Sequence, residues 1–286
     1  MNRAAEMRGR RVRLGRWTTP VAVHLMLGLA ALAVAVPLLW AVKSSLGTNA
    51  ELQATPVQWL PTSLHFENYT EGLVAQPFST YFLNSFIVAV AVTITTVVAS
   101  ALAGYGFAKF SFPGRSLLFA IVIVSLMIPF QAIMIPLFIQ VRSYGWLDSL
   151  VGLIIPGAVS GFGVFLMRQF MRGIPDALCE AARIDGASEF QVFWRVVLPL
   201  ARSSLAALAA LTFLASWNNF LWPLIVVQST RTMTVPLGLA QFQGTDLTNY
   251  VEIIAVSLVA AIPVVALYVV MQRQIITSFA TSGVKG

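Results

Sequence analysis

Six long stretches of the chain contain no Asp, Glu, Lys or Arg: residues 17–42, 72–108, 116–141, 149–167, 203–230 and 253–272. Each has room for the roughly 20 apolar residues that cross about 30 Å of hydrocarbon. Within a bilayer the backbone must satisfy its own hydrogen bonds, so the pattern predicts six membrane-spanning helices. One long segment in the second half mixes charged and apolar positions instead: residues 175–199, PDALCEAARIDGASEFQVFWRVVLP. Pro175 suits the first turn of a helix, where its missing N–H is not needed. Leu178, Ala181 and Ala182 then recur at helical spacing among Asp176, Glu180, Arg183 and Asp185. Gly186 sits where a helix would stop. Ser188 and Gln191 form a capping-box pattern for a second helix. Phe190, Phe193, Trp194 and Val197 give that helix one apolar stripe, and Pro199 limits its run. The reading is helix, glycine bend, helix, lying on the membrane surface.

Composition agrees: 58% of the 286 residues are hydrophobic and 10% are charged, against about 25% charged in a soluble domain. The expected class is an all-α membrane protein. Lys and Arg set its orientation. With the N-terminus inside, fifteen of the eighteen basic residues fall on inner segments, leaving Lys43, Arg142 and Arg231 outside. Both termini and the Glu180 segment are therefore expected in the cytoplasm. The net charge of +7 reads as a topology signal and not as a nucleic-acid footprint, with anionic lipid headgroups as an incidental partner. The apolar run after Arg16 is too long for a cleaved leader and reads as a retained anchor. Residues 1–16 form a basic N-terminal segment, and 17–286 form one membrane domain with residues 175–199 as its inner loop.

Polar residues inside the spans mark candidate positions. Asn84, Ser85, Thr93, Thr95 and Thr96 in the second span suit hydrogen bonds to neighbouring helices. Pro129, Gln131 and Pro136 in the third allow a kink along a pathway, or a simple packing bend. Glycines in the fourth span, Gly157, Gly161 and Gly163, suit close helix packing. The fifth span holds Trp217, Asn218 and Asn219, then Trp222 and Pro223. Adjacent amides at depth need partners or water. They fit a proline-bent helix whose amides are tied to neighbours, or the lining of a pathway for a hydroxyl-rich sugar. The loop over residues 228–250 ends in a polar, flexible tip: Gln241, Phe242, Gln243, Gly244, Thr245 and Asp246. Cys179, the one cysteine, reads as a small residue in a packed helix.

Several chemistries are excluded. Ion-coupled carriers generally need Asp, Glu, Lys or Arg inside the membrane, and no span has one centrally. A GxxxxGK[ST] phosphate loop is absent, so the chain does not hydrolyse ATP by that route. Two histidines and one cysteine supply neither a metal-ligand spacing nor a catalytic set. The result is a pathway without its own engine.

Glu180-Ala181-Ala182, three residues, Gly186, nine residues, then Val196-x-Leu198-Pro199 resembles the EAA loop of ABC importer permeases. PFQAIMIPLF, FLMRQFMRGIPDALCEAARIDGAS and SWNNFLWPL are similar to the carbohydrate-uptake, MalG-like branch of that binding-protein-dependent family, as is the terminal VKG. The likeness runs from about Asn84 to the C-terminus and leaves the N-terminal arginines aside. It implies a type I importer permease fold in a bacterial or archaeal cytoplasmic membrane. It also implies a cytoplasmic ABC ATPase dimer that binds the ATP and magnesium, a second homologous permease, and an extracytoplasmic solute-binding protein. The permease itself would hold no cofactor or metal and would not be an enzyme. By this resemblance Glu180, Ala181, Ala182, Asp185 and Gly186 carry the ATPase coupling, while Val284, Lys285 and Gly286 enter the ATPase dimer. Gln241, Gln243, Gly244, Thr245 and Asp246 would reach the binding protein. Gln131, Trp217, Asn218 and Asn219 are the candidate pathway lining. The expected function is sugar import by alternating access. Its rivals are the same machinery with a polyol or glycerol phosphate, and a secondary carrier driven by ions.

Overall fold

A computed structural model describes residues 3–242 and 249–283, with side chains from 22 to 242 and from 249 to 272. Gln243, Gly244, Thr245, Asp246, Val284, Lys285 and Gly286 lie outside the described residues. Among the described residues every regular element is helical. Three helices are long and apolar enough to cross a membrane alone, and up to six spans result if each bent helix pair counts as one.

The chain divides into two compact units. One comprises residues 1–72 and 249–258. It contains α1 (Arg3–Ser45), α2 (Asn49–Gln53) and most of α3 (Glu67–Ala75), with the start of the final helix. Apolar side chains along α1, such as Leu25, Met26, Leu29 and Leu32, are exposed, as suits a helix solvated by lipid. Past its end the chain is stitched by polar contacts. Asn68 donates from its amide to the Ser45 and Gly47 carbonyls, both at 2.9 Å. Glu51 completes a capping box with Thr48 and also accepts from the Thr62 amide at 2.9 Å.

The other unit, residues 73–248 and 259–286, is organised around α4 (Phe78–Lys109), which packs against α8 (Gly161–Arg172) and α11 (Arg202–Trp217). Gly104 sets the α4–α8 approach: a Cβ there would stand 2.6 Å from Met167 Cβ and 2.9 Å from the Arg168 nitrogen. Thr96 donates to the Gly157 carbonyl at 3.0 Å. Asn84 donates to the carbonyls of Arg231 and Met233, each at 2.9 Å. The Ser85 hydroxyl accepts from the Val235 amide at 2.8 Å. Asn84, Ser85 and Thr96 thus tie neighbouring segments together, whereas Thr93 and Thr95, expected to do the same, bond instead to the Ala89 and Ala91 carbonyls of their own helix.

Three stretches differ from simple spans. Residues 116–141 become α5 (Arg115–Ser125) and α6 (Phe130–Ser143), which meet at 99°. Pro129 forces the break, since it disfavours helical geometry in the residue before it. Pro136, by contrast, lies inside α6. The fourth stretch is α7 (Leu150–Gly157) followed by α8, bent by 41°. Residues 203–230 are not one proline-bent helix: α11 ends at Trp217, and α12 (Leu221–Val226) restarts after the two asparagines with Pro223 inside it. The remaining elements are α9 (Asp176–Ile184), α10 (Glu189–Leu200), α13 (Val235–Phe242) and α14 (Tyr250–Gly283).

Asp148, at φ +51°, fastens the turn before α7 to the segment after α12. One carboxylate oxygen accepts from the amides of Gln228 and Ser229 at 3.0 Å each, and from the Thr232 hydroxyl. Burial works to raise its pKa, but these hydrogen bonds outweigh it and hold the carboxyl at about 2. An unfolded Asp titrates near 3.9, roughly. The stabilisation is therefore complete above that value and lost as pH falls through about 2. Asp148→Asn keeps a residue tolerant of positive φ while removing the charge. We expect a loss of about 1 kcal/mol in detergent melting near neutral pH and a melting curve less sensitive to acid. An unchanged melting temperature would contradict the clamp.

Candidate functional site

Residues 175–199 fold as helix, bend and helix. α9 begins after Pro175 and ends at Ile184, and Gly186 follows at φ +85°, a conformation that costs glycine little. Ser188 and Gln191 form the expected reciprocal capping box. Within α10, residues Phe193–Val197 relax into a π-type turn before Pro199, so the helix runs slightly past the proline.

The apolar pattern divides differently from the sequence reading. Cys179 is the buried position of α9 and Ala182 is half-buried, packed with Met171, Ile174, Val192 and Phe193 in one core cluster. Ala177, Glu180, Ala181 and Ile184 lie on the opposite face at i, i+3, i+4 and i+7, and all four are exposed. Ile184 is 86% exposed and neighbouring Leu178 45%. Of the four expected stripe positions in α10 only Phe193 and Val197 turn inward, beside the buried Val192. Phe190 and Trp194 are exposed and stacked on each other at 6.3 Å, so the expected single stripe is two faces. On a regular α-helix these four positions share one face; the π-type turn over Phe193–Val197 interrupts that register.

The loop is anchored to α4 at two points. At the start of α9, the Lys109 ammonium donates to the Ile174 carbonyl at 2.5 Å and to the Asp176 carboxylate at 2.6 Å. That lysine side chain is almost fully buried while Asp176 is exposed. Hydrogen bonding from Lys109, with its charge, holds Asp176 below the usual carboxylate range. Beyond the bend, Arg183 binds both oxygens of Glu189, at 2.6 and 3.2 Å, and Tyr105 donates to Glu189 at 3.0 Å. The Arg183 bonds lower the Glu189 pKa against the opposing effect of burial. By contrast, the carboxylates of Glu180 and Asp185 make no hydrogen bond or ion pair among the described residues. The charges that serve the fold are paired, whereas those of Glu180 and Asp185 are left unpaired beside exposed apolar side chains. Such a surface suits a protein partner.

A second feature is a cavity of about 570 Å³ lined by α4, α6, α7, α8, α11 and α12 together with Thr234. Asn219 lines it, and so does Trp222, whose ring nitrogen donates to the Gly152 carbonyl at 2.9 Å. The other predicted positions lie elsewhere. Trp217 is buried, stacks on Phe213 at 5.8 Å and donates to the Ala260 carbonyl at 3.2 Å. Asn218 is exposed and ties its amide to the Leu214 carbonyl at 3.0 Å. Gln131 is exposed and not among the lining residues. Gln241 is exposed at the end of α13. Sequence reasoning missed Thr212, Ser216 and Thr234 as lining residues. The hydroxyls at 212 and 216, four apart on an apolar helix, were the available signal. Among the described residues no group of His, Cys, Asp and Glu is arranged to hold a metal ion.

Comparison with known proteins gives a consistent result. Residues 96–275 match the family model of the binding-protein-dependent transport system inner membrane component. The arabinooligosaccharides transport system permease protein AraQ of Halalkalibacterium halodurans is 36% identical over 277 residues, covering 95% of this chain and 99% of that one. The sn-glycerol-3-phosphate transport system permease protein UgpE of Pectobacterium atrosepticum is 34% identical, covering 87% and 92%. In structure, the chain is similar to one from a bacterial ABC transporter involved in import of the acidic polysaccharide alginate. That match has a TM-score of 0.79 and 25% identity, covering 96% and 98% of the two chains. With a family match over most of the chain and a relative aligned end to end, this chain belongs to the inner-membrane components of binding-protein-dependent transport systems.

Proposed function

We propose that the chain is one permease of an ATP-driven importer that takes up a sugar by alternating access. The supporting observation is α9: its buried face and two polar anchors fix it to α4, while its opposite face offers Ala177, Glu180, Ala181 and Ile184 unoccupied. In this reading a cytoplasmic ABC ATPase dimer, which binds the nucleotide and magnesium, docks on that face. Glu180 and Asp185 offer the docking charge, Ala181 permits close approach, and Ala182 and Gly186 hold the helix and its bend. ATP-driven closure would then move α9, and α4 would carry the motion to the cavity. A second homologous permease would complete the pathway, and an extracytoplasmic binding protein would deliver solute near Gln241. Residues 243–246 would extend that contact, and Val284, Lys285 and Gly286 would reach the ATPase.

The topology proposed is six spans with both termini in the cytoplasm, each bent pair or broken stretch counting as one crossing. Residues 17–286 form the membrane domain, and 1–16 a basic cytoplasmic lead. The permease does no catalysis itself. Arabino-oligosaccharides in the name of one relative and glycerol phosphate in that of another make a phosphorylated solute the specific rival.

The test is to purify the tagged chain from its native membrane in mild detergent and weigh its companions. An ATPase, a second permease and a binding protein are expected together. Isolation of the chain alone or as a homodimer, under conditions that preserve a known complex of this type, would overturn the reading.

A further inference from the structure

We infer that this permease itself carries a subsite for a neutral, polyhydroxylated solute, built around Thr212, Ser216, Asn219 and Thr234. The inference rests on the importer reading and adds the class of ligand and the residues that meet it. Buried hydroxyls normally find partners, and helical Ser and Thr often satisfy themselves on the carbonyl four residues back. Thr93 and Ser257 do so here, at 2.6 and 2.7 Å. On the cavity wall Ser85, Thr96 and Ser160 are hydrogen-bonded to backbone groups, but three other hydroxyls are not. The Thr234 hydroxyl is buried, with the residue only 4% exposed, and has no hydrogen-bond partner. Thr212 and Ser216, on successive turns of α11, also make no side-chain hydrogen bond among the described residues. Asn219 accepts from the Trp222 amide at 3.4 Å and leaves its NH₂ group without an acceptor. Three residues with unpartnered hydroxyls and one with an unpartnered NH₂ group thus line one space, the Thr234 oxygen lying just beneath its surface.

The rest of the wall narrows the ligand. Phe130 packs edge-on against Trp222 at 5.9 Å, and both line the cavity. A ring surface beside free hydroxyls matches a pyranose or furanose, whose C–H face is apolar and whose edge is polar. The volume of about 570 Å³ lies within the roughly 300–1,000 Å³ of small-molecule sites. No Asp, Glu, Lys, Arg or His lines it. A phosphate or uronate carboxylate would lose its hydration there and gain no countercharge, which is costly. Anionic solutes of the kind named for some relatives therefore do not fit this subsite.

The experiment uses the complete transporter co-purified through this chain. Ser216→Cys is labelled with N-ethylmaleimide and the adduct is read on this chain by mass spectrometry; the native Cys179, 1% exposed, gives the background. Arabinotriose at ten times its dissociation constant should slow labelling about tenfold, and sn-glycerol 3-phosphate should leave the rate unchanged. Protection by neither probe, or equally by both, overturns the inference. Thr234→Val supplies a second measurement. Replacing an unpartnered hydroxyl by a methyl should leave melting unchanged or raise it, yet lower uptake roughly fivefold at saturating binding protein. Undiminished uptake in Thr234→Val counts against the subsite. Unprotected labelling in a complex that still shows ATP-dependent uptake removes the subsite alone. Loss of any ATP-dependent uptake by the unmodified complex strikes the importer reading itself.

Discussion

Glu180→Lys and Gly186→Pro are expected to abolish ATP-driven uptake while the chain still inserts in the membrane. Glu180 is exposed and has no partner among the described residues, so its replacement removes nothing the fold uses. Charge reversal at the centre of a docking face is the kind of change that costs 2 kcal/mol or more, weakening attachment roughly 30-fold. Gly186→Pro acts through the backbone. Proline is locked near a φ of about −65°, whereas this position holds +85°, and its amide donates to the Arg183 carbonyl at 3.0 Å. The turn must reopen, and with it the Arg183–Glu189 pair that spans the bend. Uptake in proteoliposomes and co-purification of the ATPase are the readouts. Wild-type uptake in both variants would remove the coupling role from this loop.

Gly104→Leu should be the most damaging change to the fold. Its new Cβ would meet Met167 Cβ at 2.6 Å and the Arg168 backbone at 2.9 Å, groups that cannot swing aside. Overpacking a tight contact costs typically about 1–3 kcal/mol and sometimes more, and relief here requires α4 and α8 to part. Those helices carry both the cavity wall and the anchor of α9, so stability and transport should fall together. Gly106→Leu is the control, because a Cβ at Gly106 meets nothing within 4 Å. Equal melting temperatures and yields for the two variants would contradict the close α4–α8 approach.

The inner loop was legible because its signals are local. A capping box, a glycine after a helix and a proline before one depend on a few adjacent residues, and all three took effect. Which face of α9 is buried was not legible: Leu178 and Cys179 are both plausible core residues until α4 and α8 are placed against them. Hydropathy found the apolar stretches but not their breaks, since a helix broken at 99° is as apolar as a straight one. The cavity was harder still. Its Ser85, Thr212 and Thr234 come from three distant segments, and only tertiary structure brings them to one wall. The Trp217–Asn219 cluster shows both outcomes. Asn219 lines the cavity, while Trp217 finds a carbonyl partner on α14, which no spacing could foretell.

The central claim is that a separate ATPase drives this permease through the exposed face of α9. The most direct measurement replaces Ala181 by a photocrosslinking residue and irradiates native membranes. Ala181 is exposed on that face and is not part of the buried cluster. The account predicts one major adduct, this chain joined to an ATP-binding subunit, whose yield changes when nucleotide is added. Crosslinks to lipid or to another copy of this chain, with no ATP-binding subunit among them, would contradict it.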